Sequence, residues 1–231
     1  MITHPESHSA VQPAVEDSLG VREGPRRLLN VGVAAVSLIA GIPIMAAIAA
    51  LIKITSPGPA VYSQKRVGID RRRREKPGPP GKRQIDWGGQ LFTMYKFRTM
   101  HANGEEPEVW ARPDDPRVTR LGRVLRRFRL DEMPQLLNVL RGDMNIVGPR
   151  PEQPKIFAEL RDVIDQYPEH QRLRPGITGL AQVTRPYDQS LDDVRRKLAL
   201  DLEYARRQSV FEDLKILIKT PFVMLFKGGS H

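Results

Sequence analysis

Two adjacent carboxylates, Asp131 and Glu132, stand near the middle of this 231-residue chain, with Arg123, Arg126, Arg127 and Arg129 before them and Arg141 and Arg150 after. Acids ringed by cations suit a phosphorylated substrate, because the cations hold phosphate oxygens while a carboxylate attacks phosphorus or binds a metal. The plainer role for the pair is capping, since acids in a first turn complement the helix dipole. Met133, Leu136, Leu137 and Leu140 follow at i, i+3, i+4 and i+7, the spacing of one helix face. That spacing predicts a helix with Asp131 as N-cap, Pro134 in the first turn and Gly142 as the stop.

Composition narrows the partner. A formal charge of +10 and a pI near 10.1 imply something anionic: nucleic acid, acidic lipid head groups or a phosphorylated substrate. The absence of cysteine excludes disulfides and thiolate metal sites, and the five histidines stand at no ligand spacing. A nucleic-acid platform interleaves stacking aromatics with cations. Aromatics are 6% of this chain, and Tyr95 and Phe97 alternate with Lys96 and Arg98, so on a strand they face away from the charges. A membrane-tethered nucleic-acid-binding module is therefore the alternative to phosphate chemistry. A scaffold without catalysis is a third reading, and it would tolerate loss of both acids.

Several elements must position these residues. Met1 to Gly24 is polar and without period, which reads as a disordered tail. From Leu28 to Ile52 no side chain is charged, and the run is long enough for a hydrocarbon core of about 30 Å. It is also longer than the apolar core of a cleaved signal peptide. Gly41 and Pro43 lie at its middle, where proline removes an intrahelical bond. Arg22, Arg26 and Arg27 flank one end, and Lys53, Lys65, Arg66 and Arg71 to Arg74 the other. The positive-inside rule then asks for both ends on the cytoplasmic face. A helix broken at Pro43 satisfies it by entering and leaving through one leaflet; an ordinary span with a tolerated proline is the alternative.

Downstream, Ala60 to Val67 and Gln90 to Met100 read as short strands, separated by a basic Gly/Pro loop, Arg71 to Gly89, suited to head groups. Thr119 to Phe128 reads as an amphipathic helix with Leu121, Val124, Leu125 and Phe128 inward, and Glu152 to Asp165 as another helix. Arg174 to Gly179 is a turn entering a short strand through Val183. Ser190, with Asp193 three residues on, starts a long helix to about Gln208, burying Leu191, Val194, Leu198 and Leu202. Val210 to Phe226 sets an apolar face against Lys215, Lys219 and Lys227, as in a helix lying at an interface or packed in a core.

Six motifs in order resemble those of the bacterial sugar transferases, the monotopic phosphoglycosyl transferases that load a sugar phosphate onto polyprenyl phosphate. They are Ser56-Pro57-Gly58-Pro59, Tyr95-Lys96-Phe97-Arg98-Thr99-Met100, Asp115-Pro116-Arg117-Val118-Thr119, the Leu130 to Leu136 block with Gly142-Asp143-Met144, Gly148-Pro149-Arg150-Pro151, and Arg174 to Gly179 with Gln182. The resemblance implies an α+β fold: a mainly helical cytosolic domain with a short β-hairpin, a re-entrant, Pro-kinked membrane helix and interfacial amphipathic helices. Its bounds would be a tail at 1–24, the membrane helix at 25–54 and the transferase domain at 55–231. It further implies that Asp131 attacks the β-phosphorus of a UDP-sugar, releasing UMP and carrying an aspartyl phospho-sugar that passes to undecaprenyl phosphate. By the same likeness Glu132 is catalytic and binds Mg²⁺, Lys96, Arg126 and Arg150 contact phosphate, and Asp201 is a polar member of the substrate site. The implied partners are the UDP-sugar, the polyprenyl acceptor and membrane lipids, with no nucleic acid. The implied place is the cytoplasmic face of the inner membrane, at the first membrane step of polysaccharide or glycoconjugate synthesis. The long Arg71 to Gly89 insertion, and Ile42-Pro43 where the family often has Ser-Pro, depart from the pattern.

Overall fold

One continuous helix, α1 (Glu23–Thr55), takes in the whole apolar run with Pro43 inside it. The computed structural model describes residues 23–70, 87–101, 115–184 and 190–226. The expected N-terminal tail, apart from its last residues, and most of the Arg71 to Gly89 insertion lie outside them. At about 1.5 Å per residue α1 is about 50 Å long, and described elements from the hairpin to the last helix pack along one side of it. Strands β1 (Val61–Val67) and β2 (Leu91–Phe97) form an antiparallel hairpin in which Val61 faces Phe97 and Val67 faces Leu91. Then come α2 (Arg120–Arg127), a 3₁₀ turn at Leu130–Glu132, α3 (Gln135–Arg141), β3 (Asn145–Val147) and α4 (Pro154–Val163). A second 3₁₀ turn, β4 (Gly176–Thr178), α5 (Leu180–Thr184), α6 (Leu191–Arg207) and α7 (Val210–Phe226) complete the chain. The fold is α+β, mainly helical, with β3 and β4 paired in parallel as a second small sheet.

Helix α1 is fastened at both ends to this one body. At its start Arg26 is buried and donates to Asp213 at 3.0 Å, with Gln208 and Tyr204 as further partners. Arg27 donates to the carbonyls of Met144 and Val139 near the end of α3. Asn30 donates to the Arg26 carbonyl at 2.6 Å and accepts the Ile146 N–H at 2.5 Å, so it closes the outer edge of β3. Ala34 then enters the main core beside Val139, Met144, Ile146, Tyr204 and Ile216. At the far end Ile48 and Ile52 pack with Phe97 and Leu125; each such burial stabilises by about 1.5–3 kcal/mol. Arg98 seals that end, donating to Ser56 O and Oγ at 2.8 Å and to the Pro57 carbonyl. The opposite side of α1 presents Val36, Ile39, Ile42, Ile44, Leu51 and Ile54 to the outside.

Several expectations change. Arg26 and Arg27, read only as a basic flank of the apolar run, are also structural: Asp213 and carbonyls at the end of α3 take them up. Val124 and Phe128 are exposed rather than inward, since the short α2 buries only Gly122 and Leu125; Leu191 on α6 is exposed as well. Leu180–Thr184 is helical, so the strand after Pro175 ends at Thr178. Ser190 caps α6 as expected, accepting the Asp193 N–H at 3.2 Å.

Asn30 and Ser37 are the two clearly polar residues of the apolar run, and the fold uses them differently. Asn30→Leu orphans the buried Ile146 N–H and is expected to lower stability by about 1–3 kcal/mol. Ser37→Ala, at an exposed position, is expected to stay within about 0.5 kcal/mol of wild type. Denaturant unfolding in detergent measures both.

Candidate active site

The dyad owes its place to a break in the helix pattern. Thr119 caps α2 by accepting the Gly122 N–H at 2.8 Å, and α2 ends at Arg127. Arg129 then adopts a left-handed conformation, φ 52 and ψ 23. Among the described residues it is the one non-glycine with positive φ, a conformation that costs about 1–3 kcal/mol and clusters at functional sites. This reversal delivers Leu130, Asp131 and Glu132 on their own 3₁₀ turn, and α3 begins only at Gln135. Asp131 is therefore not the N-cap of a long helix. Gly142 does end α3 with φ 91, as expected.

Both acids are buried, but their surroundings differ. Glu132 Oε1 accepts from Lys96 Nζ at 3.1 Å and from Arg150 Nη1 at 3.2 Å, and Oε2 accepts from Arg129 Nη1 at 3.5 Å. Burial alone would raise its pKa; the charges of Lys96, Arg150 and Arg129 outweigh burial and hold the carboxyl well below the usual range. Asp131 accepts no hydrogen bond from any described residue. Burial pushes its carboxyl up and the Glu132 charge adds to this, while Lys96, Arg126 and Arg150 pull the other way. Burial likewise pushes the Lys96 ammonium down, against the pull of Glu132 and Asp131. Two neighbouring acids thus diverge: Glu132 stays ionised and Asp131 takes a proton more readily.

The site therefore gathers Lys96 from β2, Arg126 from α2 and Arg150 from the turn after β3 around the dyad. Arg126 donates Nε to Thr99 Oγ1 at 2.9 Å. Asp201 is buried on α6 and shares with Arg150, Glu152, Tyr167, Val194, Lys197 and Leu198 the lining of a small cavity of mixed polarity. Lys197 pairs there with Glu152 at 3.2 Å. Among the described residues no three acids or histidines converge as a ready metal site. Mg²⁺ commonly takes only one or two carboxylates and completes its shell with substrate phosphates, and the adjacent acids match that donor set.

Several site residues lacked a readable signal. Arg129 counted only as one of many arginines, yet it makes the turn and pairs with Glu132. Asn138 is fully buried although it lies off the helix face expected to be apolar, of which Leu137 is exposed; it donates to Thr93 O at 2.7 Å and accepts Tyr95 N–H at 3.2 Å, tying α3 to the strand that carries Lys96. Other motif residues prove architectural: Asp115 grips Arg117 at 2.6 Å ahead of the α2 cap, and Gly148 and Gly176 let β3 and β4 approach more closely than a side chain permits.

A family model described as bacterial sugar transferase matches residues 21–227. A UDP-glucose:undecaprenyl-phosphate glucose-1-phosphate transferase of Caulobacter vibrioides is 39% identical over 209 residues, covering 89% of this chain and 72% of that protein. A UDP-N-acetylgalactosamine-undecaprenyl-phosphate N-acetylgalactosaminephosphotransferase of Aeromonas hydrophila is 39% identical over 190 residues, covering 82% of this chain. A UDP-glucose:undecaprenyl-phosphate glucose-1-phosphate transferase of Escherichia coli is 35% identical over 212 residues, covering 90% of this chain. The chain spans 41% of the length of each of the latter two.

Glu132→Gln removes the charge that three cations share, and loss of one partner from such a buried cluster costs about 3 kcal/mol. The sign of the pH dependence follows from the depressed folded pKa. The difference between wild type and variant is full at neutral pH. It shrinks as pH falls below the ordinary glutamate value of about 4.3, and closes only below the folded value. Urea unfolding of both proteins from pH 7 downward is the check.

Proposed function

Because the chain belongs to the bacterial sugar transferase family, we propose that it transfers a sugar 1-phosphate from a UDP-sugar to undecaprenyl phosphate with release of UMP. The observation that carries this reading is the pair of buried, adjacent acids whose pKa values are shifted in opposite directions, ringed by cations, beside the end of an exposed apolar helix. In the first step a carboxylate oxygen of Asp131 forms a bond to the β-phosphorus, the bond from that phosphorus to the bridging oxygen breaks, and UMP departs. In the second step an oxygen of the acceptor phosphate attacks the same phosphorus, the aspartyl bond breaks, and Asp131 is restored as a carboxylate. Splitting the transfer this way spares the direct encounter of two free phosphate anions.

Each neighbouring residue has a part in holding charge. Lys96, Arg126 and Arg150 bind phosphate oxygens, and their proximity favours the ionised form of Asp131 that can attack. Glu132 keeps Lys96 and Arg150 in place until phosphates arrive, and is the carboxylate that would hold Mg²⁺. When bound, that ion neutralises charge on the diphosphate. Asp201 acts beside Arg150, in the lining of the small cavity they share. Relatives are named for glucose and N-acetylgalactosamine donors, so a UDP-hexose of that kind is the donor class, and another is named an exopolysaccharide production protein.

The acceptor explains the exposed apolar surfaces. A helix whose two ends are fastened to one body leaves no room for a bilayer to pass between them. In this reading helix α1, continuous through Pro43, bends there to enter and leave by one leaflet, with Pro43 at its deepest part and its outer face in lipid. Phe211, Leu214, Ile218 and Phe222 project from α7 at i, i+3, i+7 and i+11, and that helix lies in the interface plane. The body then rests on the cytoplasmic face of the inner membrane, where an acceptor can keep its tail in lipid and offer its phosphate to Asp131. Binding of nucleic acid has no part in this arrangement.

The decisive test is intact mass spectrometry of detergent-held protein incubated with Mg²⁺ and a panel of UDP-sugars without acceptor. Wild type is expected to gain the mass of one sugar phosphate, Asp131→Asn to gain none, and added undecaprenyl phosphate to discharge the adduct. No adduct from any donor, together with no acceptor-dependent release of UMP, would defeat the proposal.

A further inference from the structure

Arg126 differs from the other cations of the site in what holds it. Lys96, Arg129 and Arg150 are paired with Glu132, whereas the described hydrogen bond of Arg126 runs from Nε to a neutral hydroxyl, Thr99 Oγ1, at 2.9 Å. A guanidinium is planar, so fixing Nε fixes the direction of its two terminal amines, the fork that grips phosphate. The hydroxyl that does this belongs to a buried residue, Thr99.

The surrounding backbone makes that contact a rigid one. The Thr99 carbonyl accepts the Thr119 N–H at 2.9 Å, and Thr119 in turn caps α2 through Gly122. Met100 and Val118 form an isolated antiparallel bridge alongside. Gly122 allows α2 to lie directly on the Thr99 backbone, since a side chain there would collide with the Thr99 carbonyl. The start of α2 is thus tied to Thr99 by backbone bonds and its last turn by the Arg126 side chain. Lys96 sits three residues before Thr99 on the same segment. One short stretch therefore carries one phosphate-binding cation and aims a second.

We propose that Thr99 is a positioning residue whose hydroxyl directs the Arg126 fork toward the diphosphate of the donor. This rests on the reading of the site as a UDP-sugar phosphotransferase, but it is tested by binding rather than turnover. Thr99→Val keeps the branched shape and removes only the hydroxyl, while Thr99→Ser keeps the hydroxyl.

The experiment measures equilibrium binding of labelled UDP to the full chain in detergent. It compares wild type, Thr99→Val, Thr99→Ser, Arg126→Ala and the double variant Thr99→Val/Arg126→Ala, with the adduct on Asp131 followed in parallel. Thr99→Val and Arg126→Ala are each expected to weaken UDP binding by about tenfold, Thr99→Ser by less than about twofold, and the double variant no further than Arg126→Ala. A structural role alone would make the two losses multiply, or would lower the melting temperature of Thr99→Val together with its affinity. Either result overturns the proposal, as does wild-type affinity in Thr99→Val. If UDP binding follows the expected pattern while wild type forms no adduct, the covalent mechanism fails and the role of Thr99 stands. If wild type does not bind UDP, both fail.

Discussion

The attachment of α1 at both ends is the constraint on which the rest of the structure depends. Arg26, Arg27 and Asn30 fix its start to α3, β3, α6 and α7; Ile48, Ile52 and Ser56 fix its end to the hairpin and α2. The dyad is built on this helix and does not merely lie near it. Leu130 and Met133, on either side of Asp131 and Glu132, pack into the cluster formed by Ile48 and Ile52, and the Met133 side chain reaches Gly41 at the middle of α1. Arg98, which seals the end of α1, is two residues from Lys96, which pairs with Glu132. The exposed apolar face of α1 and the buried acid pair therefore share one frame, as the proposed reaction between a water-soluble donor and a lipid-borne acceptor would require.

Charge within that frame is arranged by geometry more than by count. Of the many arginines near the dyad, Arg129 and Arg150 pair with Glu132, Arg126 is turned aside to Thr99, and Arg120, Arg123 and Arg127 are exposed. Burial raises the cost of a second negative charge, so ionisation of Glu132 under three cations leaves Asp131 the acid that is harder to ionise.

How much of this was legible in the chain depended on the range of the interaction. Local rules held where local physics decides: Ser190 and Asp193 at the start of α6, Gly142 at the end of α3, the alternation that made a hairpin of Ala60 to Val67 and Gln90 to Met100. They failed where a partner lay far off. Arg26 reads as a membrane flank until Asp213, 187 positions away, takes it up. Asn138 falls outside the apolar stripe of Met133, Leu136, Leu137 and Leu140, yet it is buried and satisfies the open edge of β2. The 3₁₀ turn of the dyad escaped notice because the left-handed residue that makes it is arginine, and no glycine or asparagine marks the spot. Of the six site residues expected, Lys96, Arg126 and Arg150 do surround Asp131 and Glu132, while Asp201 shares a cavity lining with Arg150. Arg98 and Asp115, equally prominent in the motifs, hold backbone instead.

The chain has no cysteine, so single cysteines can report topology without background. The most direct measurement places one at Gly24 and one at Thr55, both exposed at opposite ends of α1, and treats sealed inner-membrane vesicles of either orientation with an impermeant maleimide. Reaction of both positions in vesicles with the cytoplasmic face outward, and of neither in the reverse orientation, is the expected result. Labelling of the two ends from opposite sides would contradict a helix held to one body and entering one leaflet.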